Sequence, residues 1–554
     1  MSSIAHPAAR PSVPSPSLRA KHALRLVAVA GETPRDSRFY ALNLALMLGH
    51  LLVLFNSGAF AAVTLHATGA LAVSPSYGTW TQTYYFVSLG LALPLAGRFA
   101  QRFGAGRVFV AAMLAMALGS AACAVTGDFA LFIAGRVLQG LGGGVALPVA
   151  QNLFLAGYGE AQRPRAMALW SVASLSPFTV GPLLGGWMAE VWGWRGLFQF
   201  NLPLALLSAG LAWALLDAQE TRRSGAPFDW IGLALLAVAL ACLQTVLNRG
   251  QDEDWYNSPL ILALAAVGLL ALLGFVLWEL GERHPLLNLR LSAKRNVAAG
   301  VAGLSLSFLM MYGLLSVLLG RLQSLAGYSS FLAGATLVPL LFFAKPVGAL
   351  LQHWVQRYDP RVLACLNLSA FAVYCFWTAS YDFFGRLGWF GDMLWSQVFE
   401  GVCLGALFAP LTALFLAGLP ARRQGQAAEL GGMLRVLGGG VGSPLLTAVW
   451  ERRSAFHQSR LADGLSLYEP WAREGMAKLH AAGVPLQAAQ AKLAGLAHQH
   501  AAILGLDDVF YLCGWLFLLL AAVVWLLGRA RTARPLTPKQ ALRRAALQDL
   551  VEEP

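Results

Sequence analysis

The chain has 554 residues, of which 57% are hydrophobic and only 12% charged, and its mean hydropathy is +0.59. That balance excludes an ordinary water-soluble domain and places the chain in lipid. A net charge of +13 would suit a nucleic-acid partner, but the basic residues cluster on one side of the apolar runs, so the excess is a topology signal and anionic headgroups fit it better.

The first 38 residues open with "MSSIAHPAARPSVPSPSLRA", a Pro/Ser-rich stretch without the compact apolar core of a cleavable signal, expected as a disordered cytosolic tail. Apolar runs of span length follow, each close to the roughly 20 residues a helix needs to cross the hydrocarbon. They fall at 40–63, 79–97, 107–126, 130–152, 165–189, 196–216, 229–248, 258–280, 297–320, 331–352, 361–380, 392–416, 427–450 and 508–528, fourteen in all. All are read as helices, because backbone groups in lipid must bond within their own segment and a barrel would show short alternating strands. The expectation is an all-α membrane protein with both termini cytosolic. The loop "GRFAQRFGAGRV" (97–108) after the second span and "GALLQHWVQRYDPRV" (348–362) after the tenth are both short and basic. Such repetition suggests two six-helix bundles, over 39–217 and 296–528, with two inserted helices at 228–281 and a cytosolic tail at 529–554.

Outside, one long loop, 451–507, is expected. Its piece "LQAAQAKLAGLAHQHAAI" has apolar residues at helical spacing and is read as an amphipathic helix lying over the outer mouth, either a cap or a docking surface. Cys123, Cys242, Cys365, Cys375, Cys403 and Cys513 all fall inside spans and read as small apolar packers. Nothing in the sequence forms a phosphate-cradling loop, a dinucleotide fingerprint, a nucleophile elbow or a metal-ligand cluster. The chain is therefore read as a non-enzyme without cofactor or metal, driven by an ion gradient.

Several motifs carry the rest. "SLSPFTVGPLLGGWM" (174–188) places Gly181, Pro182, Gly185 and Gly186 in an apolar span, where glycine and proline weaken a helix while small residues let helices approach closely. With "GRFAQRFGAGR", "GRVLQGLGGG" (135–144), "WGWRGLFQFNLP" (192–203), "FDWIGLALL", "LNRGQDEDW" and "MLRVLGGGVGSPLLTAVWERR" they form an ordered set. This set resembles the fourteen-helix drug:proton antiporters of the major facilitator superfamily, the EmrB/QacA type, from about residue 40 to 530.

The resemblance implies a multidrug exporter working by alternating access in the inner membrane. It also implies a periplasmic membrane-fusion adaptor and an outer-membrane channel as partners. "GPLLGG" resembles the family's antiporter motif, a pliant contact between the halves. Arg136, with Gln139 and Gly140 as companions, matches an arginine the family implicates in proton transfer; the rival reading is a structural clamp to backbone carbonyls. Gly97, Arg102, Gly104 and Arg107 match the family's cytosolic latch, but Gln101 stands where the pattern has an acid, which weakens it. Asn56, followed by Ser57, likewise stands where relatives carry a carboxylate, and Asn cannot take up a proton.

Replacement proton sites are then Glu400, Glu429 and His50, with Gln397 one turn from Glu400. Against these stand a structural acid, a cytosolic pairing group and a packed core histidine. Arg435 is interhelical glue or a cavity charge, and Lys345 either snorkels to the cytosolic end or lines the cavity. Phe55, Phe60, Tyr84, Tyr85 and Trp170 are candidate lining groups for an amphipathic substrate. Two other functions stay open: a proton-independent exporter of a specific metabolite such as a siderophore or organic anion, and a non-transporting receptor or scaffold.

Overall fold

The computed structural model describes residues 37–74, 77–159, 162–163, 166–167, 169–170, 180–216, 228–380, 392–464 and 469–525. Residues 174–179 of the glycine-rich motif, much of the fifth span, and both terminal tails lie outside the described residues. Among those described, every regular element is a helix. In order they are α1 (Ser37–Ala70), α2 (Gly78–Phe103), α3 (Ala105–Val125), α4 (Phe129–Ala156), α5 (Val180–Trp192), α6 (Gly196–Leu215), α7 (Trp230–Arg249) and α8 (Pro259–Gly281). There follow α9 (Arg295–Ser324), α10 (Ser330–Ala335), α11 (Val338–Trp354), α12 (Pro360–Ala379), α13 (Asp392–Leu416), α14 (Ala421–Gly464), α15 (Pro470–Ala481) and α16 (Leu486–Trp525).

Among the described residues twelve helices are long and apolar enough to span a membrane, α10 and α11 counting together as one. The two expected spans outside that set are explained locally. α2 is long enough but dilutes its hydropathy with Thr81, Gln82, Thr83 and Ser88, all buried against other helices, while α5 is described only over its last part. Helix starts are set by short polar caps. The carboxylates of Asp128, Asp229 and Asp359 and the hydroxyl of Ser329 accept the backbone N–H of Leu131, Gly232, Arg361 and Leu332, satisfying donors a helix leaves orphaned.

Two expected boundaries are corrected and one expected span is interrupted. The stretch 97–108 is not a loop: α2 runs on to Phe103 and α3 begins at Ala105, joined by Gly104 alone at φ +92°, a left-handed conformation that glycine adopts without steric cost. The tenth span breaks between α10 and α11, just before Pro339, which lacks a donor and sits in the first turn of α11. The expected outer loop is largely helical, with α14 continuing to Gly464 and α16 already helical from Leu486. "LQAAQAKLAGLAHQHAAI" is thus the start of α16, in line with the span instead of lying across the mouth. The two helices are joined at the base of these extensions: Trp450 Nε1 donates to Ala502 O at 2.7 Å, and Asp508 accepts from Arg453 and faces His457, each at 2.6 Å. Past residue 450, α14 extends about 20 Å at 1.5 Å per residue.

The α2 helix packs along α4, α3 along α4, α9 along α14, and α12 and α14 along α16. Between the two bundles, α2 lies along α14, and α1 and α5 meet α9 and α10. Since lipid tails are as apolar as leucine, close approach and polar contacts hold helices together in a membrane. Gly90 shows this: a Cβ there would lie 2.7 Å from Leu437 Cδ2 of α14. The inserted segment is bound by hydrogen bonds to α2 through α7 and to α14 through the connection after α8. Thr79 donates to Asn248 Oδ1 at 2.9 Å, Tyr84 and Thr245 share a 2.6 Å bond, and Asn288 donates to Gln426 Oε1 at 3.0 Å. Arg98 donates to the carbonyls of His284 and Pro285 and stacks over Phe228 at 5.8 Å.

Candidate transport site

Arg136 lies in about the third turn of α4 and is fully buried. Its Nη1 donates to Asn56 Oδ1 at 3.1 Å and to Gln139 Oε1 at 2.9 Å, and its Nε to the Thr81 carbonyl at 3.3 Å. Gln139 in turn donates to Ser120 Oγ at 2.8 Å. Aromatic rings close the remaining sides, with the guanidinium 4.4 Å from the Tyr85 ring centroid, 4.8 Å from Phe60 and 5.8 Å from Phe198. Ring faces attract a cation electrostatically. Tyr85 is fixed by donating its hydroxyl to the Val53 carbonyl at 2.8 Å. Arg136 Nη2 and Asn56 Nδ2 have no hydrogen-bond partner, and no carboxylate pairs with this arginine among the described residues. A buried charge without a counter-ion is costly, and intramembrane charges concentrate at functional sites. Gly140 brings the two carrier helices together: a Cβ there would overlap the Ser88 hydroxyl and the Tyr85 carbonyl of α2.

The residues that the sequence singles out in this half divide between this cluster and other places in the fold. Asn56, Phe60, Gln139 and Tyr85 converge on Arg136. Phe55 is buried in the adjoining apolar cluster with Phe132, Trp194 and Phe198. The Tyr84 hydroxyl bonds Thr245 of the inserted helix α7. His50 also sits apart: its ring is 4.2 Å from Trp170, which packs on Phe154 at 4.9 Å, and neither imidazole nitrogen has a hydrogen-bond partner. Thr81, Ser120 and Phe198 escape the sequence reading; they lie on helices whose contact with α4 no local pattern reveals.

A second group forms in the other bundle. Glu400 of α13 is half-buried and accepts a 2.8 Å hydrogen bond from the Tyr374 hydroxyl of α12. Gln397, fully buried one turn back, donates to the same hydroxyl at 3.5 Å. Tyr374 carries no motif that marks it in the sequence, although its place in a helix facing α13 makes it the natural partner. Arg435 of α14 stacks over Phe308 at 4.9 Å and Phe408 at 5.6 Å. Lys345 is half-buried in α11. Glu429 is exposed on α14, within electrostatic reach of Arg98.

The glycine-rich motif packs closely on two sides. Within the amino-terminal bundle a Cβ on Gly185 would lie 2.6 Å from the Ala59 carbonyl of α1, and across the bundles Gly186 and Pro182 face α10. One on Gly186 would lie 2.8 Å from Phe331 N and overlap the Ser330 carbonyl of α10, and one on Gly334 of α10 would overlap the Pro182 carbonyl. Around it, at the end where α1, α5 and α9 finish, polar groups complete a layer. Glu190 accepts from Phe331 N at 2.8 Å, Gln323 donates to the Ala62 carbonyl at 3.1 Å, and Ser330 Oγ bonds His66 Nδ1 at 3.1 Å. Sequence reasoning finds the glycines but none of these polar partners. The latch residues lie elsewhere: Gly97, Gln101, Arg102 and Arg107 are exposed around the α2–α3 junction.

Two helical bundles that meet through a glycine seam, with ionisable groups inside each, define a multi-pass membrane transporter. The sequence profile of the Major Facilitator Superfamily matches residues 46–443. Fatty acid resistance protein FarB of Neisseria gonorrhoeae is 32% identical over 458 residues, covering 83% of this chain and 90% of that protein. Multidrug export protein EmrB of Escherichia coli K12 is 30% identical over 457 residues, covering 82% and 89%. Among solved structures, a bacterial homologue of the lysosomal transporter Spinster in an inward-facing, unoccupied conformation superposes with a TM-score of 0.58 at 14% identity, covering 89% of this chain and 98% of that one. A D-xylose–proton symporter gives 0.55 at 14% identity, covering 90% and 99%. The chain belongs to the major facilitator superfamily and is an efflux transporter of the EmrB-like kind.

Proposed function

We propose that this chain exports amphipathic compounds across the inner membrane in exchange for protons, by alternating access, with both termini cytosolic. The observation that carries proton exchange is Glu400. Its hydrogen-bond donor, Tyr374, is neutral, so a proton can come and go without breaking an ion pair. A proton moving down a gradient of roughly 180 mV releases about 4 kcal/mol, enough to sustain roughly a thousandfold substrate gradient. Arg136, in its aromatic cage, is the fixed charge of the amino-terminal bundle, and the seam of Gly186 and Pro182 against α10 is the outer contact that opens and closes. His50, Glu429 and Arg435 are secondary candidates for the coupling path. The paired extensions of α14 and α16, with α15, are the surface on which a periplasmic adaptor leading to an outer-membrane channel would dock.

The names of the relatives point to drugs and fatty acids as the kinds of compound exported. A second reading, proton-independent export of an organic anion, is favoured by Arg136, whose hydrogen-bond partner at the family's acid position is the neutral Asn56. Proteoliposomes holding only this protein separate the two. Under an imposed pH gradient, export of a cationic dye or an anionic amphiphile that Glu400→Gln abolishes supports antiport. Export indifferent to collapse of the gradient overturns it in favour of the anion exporter.

A further inference from the structure

A groove with a volume of about 510 Å³ runs down the outside of the amino-terminal bundle between α2, α3 and α4, within the size range of small-molecule sites. One end of it lies beside the one-residue junction at Gly104, whose neighbours Arg102, Phe103 and Arg107 line it. The reversal there brings Arg102, from the end of α2, and Arg107, from the start of α3, to the same end of the groove, both exposed. Arg102 stacks over Phe103 at 5.5 Å. Gln101 beside it is neutral, and neither arginine forms an ion pair among the described residues. The floor is small and apolar, Ala111 and Ala115 of α3 facing Leu141 and Val145 of α4.

From Arg107 to Ala115 the helix rises about 12 Å, most of the roughly 15 Å from the edge of the hydrocarbon to its midplane. The groove therefore has the length and polarity order of one leaflet: two cations at the headgroup level, then apolar wall down to the bilayer centre. The outward face of α3 continues as lipid-facing surface, with Leu114 and Leu118 exposed.

We propose that this groove is a binding site for an anionic glycerophospholipid, one acyl chain lying against Ala111 and Ala115 and the phosphate bridged by Arg102 and Arg107. Charge complementarity selects the headgroup and groove depth the chain. Arginine suits this role because its planar fork meets phosphate oxygens in pairs. Its lining includes neither Arg136 nor Glu400.

The test uses the full chain, purified in detergent and titrated with phosphatidylglycerol or phosphatidylethanolamine, with bound lipid counted by native mass spectrometry. The wild-type protein retains one phosphatidylglycerol in preference to phosphatidylethanolamine. At about a factor of five per arginine near the headgroups, Arg102→Gln with Arg107→Gln lowers that preference roughly twentyfold to thirtyfold. Ala115→Phe, on a half-buried position, fills the groove and lowers retention of both lipids while leaving the arginines in place. Equal retention of the two lipids by the wild-type protein overturns the proposal. So does a preference that survives the double substitution, or displacement of the phospholipid by equimolar oleate, which would make the groove a fatty-acid site.

Discussion

Replacing Gly186 by alanine adds one methyl group at the tightest contact between the bundles. The new Cβ would meet backbone atoms, lying 2.8 Å from Phe331 N and inside the Ser330 carbonyl. Backbone cannot rotate aside as a side chain can, so α5 and α10 must part. Overpacking of this kind costs about 1–3 kcal/mol. In this protein the cost falls only on the state in which the seam is closed. The open and closed populations should therefore shift by a factor of roughly 5–150 toward opening at the α5–α10 end. The assay is the rate at which a membrane-impermeant thiol reagent modifies Ser57→Cys in a background freed of native cysteines, Ser57 being buried beside Asn56. Gly97→Ala is the internal control, since nothing lies within 4 Å of its added methyl. A labelling rate unchanged by Gly186→Ala, or raised equally by Gly97→Ala, would refute the reasoning.

Asn56→Asp places a carboxylate 3.1 Å from Arg136 Nη1. The attraction is about 5 kcal/mol at an effective dielectric constant of about 20, and a hydrogen bond to a charged group nets about 1.5–3 kcal/mol. If exported anions engage Arg136, their KM in proteoliposomes rises roughly tenfold to a hundredfold; an unchanged KM removes Arg136 from the substrate path. Tyr374→Phe deletes the 2.8 Å bond to Glu400 and should slow gradient-driven efflux at least about tenfold, with substrate binding measured by fluorescence unaffected. Arg98→Gln loses two carbonyl acceptors and the stack on Phe228, so limited proteolysis should cut the 282–294 connection faster than in wild type. Asp508→Asn breaks the pairs with Arg453 and His457; both are partly solvent-exposed, and the melting temperature should fall by no more than about 1 kcal/mol of stability implies.

Much of this fold is legible in one dimension, because lipid imposes a local rule: each apolar run must satisfy its own backbone, so composition alone marks the helices. Where that rule stops, the reading slips. α2 runs past its expected end because a basic helix end in water still keeps its hydrogen bonds. The extension of α14 reads as loop because its sequence is polar, and the helical start of α16 reads as lying across the mouth; spacing along one helix does not reveal that the two helices run on together, joined at their base by Trp450 and Asp508. The site shows the same division. The companions Gln139 and Gly140 share a helix with Arg136 and are visible as a motif, whereas Tyr374 comes from a different helix than Glu400.

The sequence by itself determined that this chain lives in a membrane, where most of its helices lie, which superfamily its motifs belong to, and that an asparagine and a glutamine stand where acids are expected. Only the tertiary structure decided what those neutral residues face. It put Asn56 on Arg136 within a cage of aromatic rings, bonded Tyr84 to an inserted helix, and seated Gly185 and Gly186 on the backbone of α1 and α10. Such contacts join residues from distant parts of the chain. They depend on how helices cross and rotate against one another, and neither crossing nor rotation is encoded in the spacing along any single helix.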